Sequence, residues 1–119
     1  MKIYLNSPKE NWVIDRIKEE WEQYNLQYNS KKPKTADIFW IISPWTWKKI
    51  KRKDFKNKKI VCSIYHIDED KLNNVELNEF KNRDVVVDFY HVISEKTKDQ
   101  VKLLTDKPIE SIPFWVNQN

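Results

Sequence analysis

Short unbroken apolar runs alternate along the chain with longer stretches in which apolar residues recur every third or fourth position. That alternation predicts strands handing over to helices. Residues 2–6, KIYLN, read as the first strand. Behind them Trp12, Val13, Ile17, Trp21 and Tyr24 recur at helical spacing with Glu19, Glu20 and Glu22 between, so a helix over about 9–24 should lay its aromatic stripe on a sheet. Ser7 is placed as its N-cap, Pro8 as its first residue and Glu10 as the far end of a capping box. LQYN, residues 26–29, has the length of an edge strand.

The next run, ADIFWIIS over residues 36–43, is apolar throughout after Asp37, the mark of a strand covered on both faces and hence of a parallel sheet. Ser43-Pro44 caps a helix expected from Trp45, fading in the basic run before Phe55. A third strand is expected over Lys59–Ile64, with Asp68 capping an amphipathic helix that carries Leu72, Val75 and Phe80. VVVDFYHVIS gives a fourth strand whose start is blurred by Asp88, and Ser94 caps a helix with Val101 and Leu104 on one side. PIESIPF supplies a fifth strand, closed by Pro113. Strand and helix alternate from end to end, which predicts an α/β, three-layer Rossmann-like domain with a mostly parallel sheet of about five strands. Residues 1–119 are expected to form this single domain, and WVNQN after the last strand suggests that a further domain belongs with it.

Composition narrows the chemistry. The chain has no glycine, so the first turn is built from Ser7-Pro8-Lys9-Glu10 rather than from the glycines with which dinucleotide-binding folds approach a phosphate. Glu10 places an anion at the helix N-terminus where a phosphate would compete, which argues against a flavin or dinucleotide domain. A phosphorelay receiver is excluded as well, because Asn6-Ser7 and Ser43 stand where it needs acidic residues. The lone Cys62 lies in an apolar run and reads as a buried, inert thiol of a reducing compartment, hence cytoplasmic. Net charge is only +4, but the stretch KKIKRKDFKNKK at 48–59 is densely basic: a solvated face, or a contact with phosphate or with anionic lipid headgroups at the inner face of a membrane. On the leading reading nucleic acid is not expected there. Six Trp exceed the needs of one small core, so some should line a cleft or a protein surface.

In an open parallel sheet, ligands sit outside the carboxyl ends of the strands. The residues expected at that rim are Asn6, Ser7 and Glu10; Ser43, Trp45 and Trp47; Tyr65, His66 and Asp68; His91, Ser94 and Glu95; and Phe114, Trp115 and Asn117, with Asn11 as a further polar contact beside Ser7 and Glu10. Aromatic rings with amides and carboxylates suit a sugar, rings taking its C–H face and polar groups its hydroxyls. His66 directly follows a buried strand and is the candidate general base or hydroxyl ligand, while His91 lies within a strand and reads as structural. His66 with Asp68, Glu69 and Asp70 reads as a helix start rather than a metal site, so neither metal nor cofactor is expected.

Residues 90–117, YHVISEKTKDQVKLLTDKPIESIPFWVN, resemble the amino-terminal domain of GT-B glycosyltransferases of the family 4 type. The strand end and helix of that family are matched by Val92-Ile93-Ser94-Glu95 and Lys98 through Leu104. Its closing I-P-N-G-V-D appears as Ile112-Pro113-Phe114-Trp115-Val116-Asn117, with Phe114-Trp115 in place of Asn-Gly and Asn117 in place of Asp. His66 falls where members of the family place a histidine near the acceptor and the reacting sugar. The resemblance implies one half of a GT-B fold, receiving a sugar or lipid-linked acceptor, while a second domain with an E-x7-E motif holds the nucleotide-sugar donor. On that reading the chain alone transfers no sugar. Two alternatives stay open: a noncatalytic module that binds nucleic acid through the basic run, and one that docks a protein partner through exposed Trp.

Overall fold

A computed structural model of the chain describes residues 1–6, 12–44, 47 and 50–112, with only the backbone of residues 12–14 and 52. Five parallel strands form one sheet in the order β1 (Ile3–Asn6), β2 (Ile38–Ile41), β3 (Lys59–Ile64), β4 (Phe89–Val92) and β5 (Ile109–Ser111). Among the described residues three α-helices accompany them: α1 (Trp12–Tyr24), α2 (Asn74–Asp84) and α3 (Glu95–Lys102). The register aligns Tyr4, Phe39 and Ile60 on one row and Ile41, Cys62, Tyr90 and Ile109 on another. Because side chains alternate along a strand, these rows share a face, and Leu5, Trp40, Ser63 and His91 point to the other.

The two faces carry separate cores. Phe39, Ile41, Ile60, Cys62, Tyr90 and Val92 pack with Phe80 of α2 and Val101 of α3. Leu5 and Ile42 pack with Trp21, and Ile17 of the same helix α1 joins from the edge, on the face of Trp40. Helices on both faces make the sheet doubly wound, as the apolar ADIFWIIS run predicts. The chain achieves this by moving outward first. After α1 it runs beside the free edge of β1, where Asn29 forms a single parallel bridge to Ile3, and only then crosses to β2 on the other side. The LQYN segment therefore contributes one bridge and a turn. With right-handed crossovers, opposite directions of travel put successive helices on opposite faces. The reversal falls between β1 and β2.

Several elements depart from their sequence-based expectations. Tyr24 is 64% exposed although it continues the α1 stripe, because among the described residues only a bridge at Asn29, and no full strand, lies beyond β1 for the last turn to rest on. Asp68 caps a single 3₁₀ turn, Glu69–Lys71, by accepting a hydrogen bond from Asp70 N at 3.1 Å. The α-helix starts later, with Asn73 accepting from Glu76 N at 3.0 Å. Its buried face is set by Phe80 and Arg83, and Val75 lies about 140° round the helix from Phe80, in solvent. A 3₁₀ helix over Arg52–Phe55 occupies the end of the stretch expected as an α-helix. The capping box at Ser7 and Glu10, and Pro113, lie outside the described residues. With no glycine in the chain, the left-handed position in the turn before β3 falls to Asn57, at φ 62°. Asparagine tolerates that region better than any other residue with a Cβ.

Candidate functional site

At the carboxyl ends of the strands, His66 is exposed two residues beyond the end of β3. The backbone on either side of it is held. Thr97 Oγ1 donates to the Tyr65 carbonyl at 3.4 Å, and Gln100 Nε2 donates to the Ile67 carbonyl at 3.3 Å. The Tyr65 hydroxyl reaches across to the Ile42 carbonyl at 2.6 Å, tying this loop to the end of β2. Burial keeps that phenol far above its ordinary pKa, so it acts as a donor. An exposed imidazole thus stands on a loop braced to both the end of β2 and α3.

Ser94 sits next to this loop and caps α3: its Oγ accepts from Thr97 N at 3.2 Å and donates to Thr97 Oγ1 at 3.0 Å. The same threonine hydroxyl holds Tyr65, so the cap and the histidine loop are one hydrogen-bonded unit. Glu95, in the first turn of α3, is exposed. Asp68 is exposed, holding Asp70 N and lying 3.9 Å from Lys71 Nζ. His66, Asp68, Ser94 and Glu95 therefore share one end of the sheet. Trp47 is placed differently, half-buried and packed on the α2 core. Ser7, Glu10, Asn11, Trp45, Trp115 and Asn117 lie outside the described residues. Among the described residues no group of His, Cys, Asp and Glu is gathered to hold a metal, and no helix is long and apolar enough to cross a membrane.

Two features escape a strand-by-strand reading. The first is a polar chain across the α1 face. Trp40 Nε1 donates to Ser63 Oγ at 2.8 Å, Ser63 Oγ lies 2.8 Å from His91 Nδ1, and His91 Nε2 lies 2.7 Å from the Ile112 carbonyl. A carbonyl only accepts, so Nε2 carries the ring proton and Nδ1 takes the serine proton. Burial lowers the His91 pKa, opposed by the bond to Ile112, and the ring is neutral. Ser63 is completely buried, so this serine and histidine fasten strands together and offer no nucleophile to a substrate. The signal in the sequence was two polar residues, Ser63 and His91, at positions whose pleat faces the helix α1 side.

The second is a groove of about 780 Å³ between the β2–β3 crossover and the end of α2. Trp47, Ile50 and Phe55 form one wall and Asn82, Val85 and Val86 the other. Lys56 also lines it. The groove lies on the α2 face, toward the ends where β3 and β4 begin, away from His66.

Compared with protein-family models, with curated proteins and with solved structures, the chain matches none.

Proposed function

We propose that the chain is the acceptor-binding half of a GT-B type glycosyltransferase. In this reading a sugar passes from a nucleotide-sugar, held by a second domain, to a glycan or lipid-linked acceptor at the carboxyl rim. The observation that supports it best is His66, an exposed imidazole on a loop held at Tyr65 and Ile67 from α3 and at Tyr65 from β2. A histidine on a braced loop at the carboxyl ends of a doubly wound sheet suits a group that would meet an acceptor hydroxyl there. Asp68 and Glu95 supply acceptors for neighbouring hydroxyls. The location that goes with this reading is the cytoplasm, where Cys62 would remain a thiol.

Titration followed by the His66 ring proton resonances tests it. Saccharide or glycolipid acceptors should move the His66 signal at roughly millimolar concentration, while a nucleotide-sugar alone should leave it in place. In the two-domain enzyme, His66→Ala should lower kcat by about 10²-fold or more with little change in the donor KM. A nucleotide-sugar that shifts His66 when saccharides do not, or full transfer activity in His66→Ala, would overturn the assignment.

A further inference from the structure

We propose that the groove between the β2–β3 crossover and α2 binds a discrete anionic amphiphile: an apolar chain carrying a single phosphate or carboxylate. The volume of about 780 Å³ lies within the range of small-molecule sites, and among the described residues its lining has their make-up, five apolar side chains with one amide and one ammonium. Val85 is 80% exposed, an apolar side chain left in water on the groove wall. An alkyl chain laid between Val85 and Phe55 would remove that surface from solvent.

Charge selects the headgroup. Residues 48–59 hold eight of the 22 basic residues and one of the 18 acidic ones, leaving 14 and 17 elsewhere, so this stretch carries +7 and the rest of the chain −3. Nearby lysines are already engaged: Lys58 Nζ donates to the Ala36 carbonyl at 2.7 Å and Lys107 Nζ to the Val87 carbonyl at 2.6 Å. Lys56, by contrast, has no side-chain partner among the described residues and faces the groove. Lys56 on the groove lining and the basic surplus of the 48–59 stretch together favour an anionic headgroup. The site is independent of the sugar reading, because it lies on the α2 face near the starts of the strands while His66 stands at their ends.

Binding of monomeric hexyl, octyl and decyl phosphate to the 119-residue chain, below their micelle concentrations, tests the proposal by calorimetry with tryptophan fluorescence alongside. Affinity should rise about threefold per added methylene, and decanol should bind roughly tenfold more weakly than decyl phosphate. Lys56→Glu should weaken decyl phosphate about tenfold. Val85→Asp should do the same while Val85→Lys does not, and both should keep the native circular dichroism because Val85 is 80% exposed. The proposal is overturned by affinity that ignores chain length, by equal binding of decanol or a decyl ammonium, or by indifference to the sign of charge at position 85. Binding confined to phosphatidylglycerol vesicles, with no response to monomeric decyl phosphate, would also overturn it and assign the basic run to a bilayer surface.

Discussion

Ser63→Ala removes a single oxygen, yet it should be among the most damaging substitutions available in the sheet. The Ser63 Oγ stands 2.8 Å from Trp40 Nε1 and 2.8 Å from His91 Nδ1, so the variant takes a bond from one donor and one acceptor. Each orphaned buried polar group costs about 1–3 kcal/mol. His91 is 8% exposed and Trp40 half-buried, so solvent compensates less at the imidazole than at the indole. The expected destabilisation is therefore about 2–3 kcal/mol, a substantial share of the roughly 5–15 kcal/mol that holds a domain folded. For a chain of this size that corresponds to a fall in Tm of roughly 8–12 °C. Urea unfolding followed by both fluorescence and circular dichroism gives the value from the shift in midpoint at constant slope. Trp40→Phe deletes the donor that Ser63→Ala orphans, so the double variant should lose about 1 kcal/mol less than the two single losses combined. A loss below about 0.5 kcal/mol, or strict additivity with Trp40→Phe, would refute the argument that this chain of bonds fastens β2, β3 and β4.

Stability should also depend on pH through His91. Its folded pKa is depressed below the ordinary 6.5, so the unfolded chain takes up the proton first as pH falls. The stability is thus full above about 6.5 and declines as pH drops through that value toward the folded pKa; urea midpoints should follow this slope, and His91→Asn should flatten it. Cys62 is fully buried with its pKa pushed up to about 11 by burial, so Ellman's reagent should leave it untouched in the native protein and modify it completely in denaturant. At Asn57, φ 62° makes a β-branched residue costly: Asn57→Val should lose about 1–2 kcal/mol in the same urea assay, and Asn57→Gly should be neutral or stabilising.

Periodicity alone fixed much of this molecule. A period of two in IYLN, IFWI and KIVCSI assigns each residue to a face, and apolar residues on both faces demand cover on both, which is why a doubly wound parallel sheet was legible. The Ser94 cap was legible too, since a hydroxyl just before a helical pattern has a local partner three residues on. What the pattern could not contain is which strand lies beside which. Ser63 and His91 are 28 residues apart, and only the β3–β4 register brings hydroxyl and imidazole together. The bracing of His66 likewise needs side chains of α3, more than 30 residues away along the chain. The groove is decided by tertiary structure alone, for it exists where a crossover between β2 and β3 meets the end of α2. Local sequence sets the direction in which a side chain points; its partner is set by chain segments distant in sequence, and hydrogen bonds, buried charges and cavities all depend on that second choice.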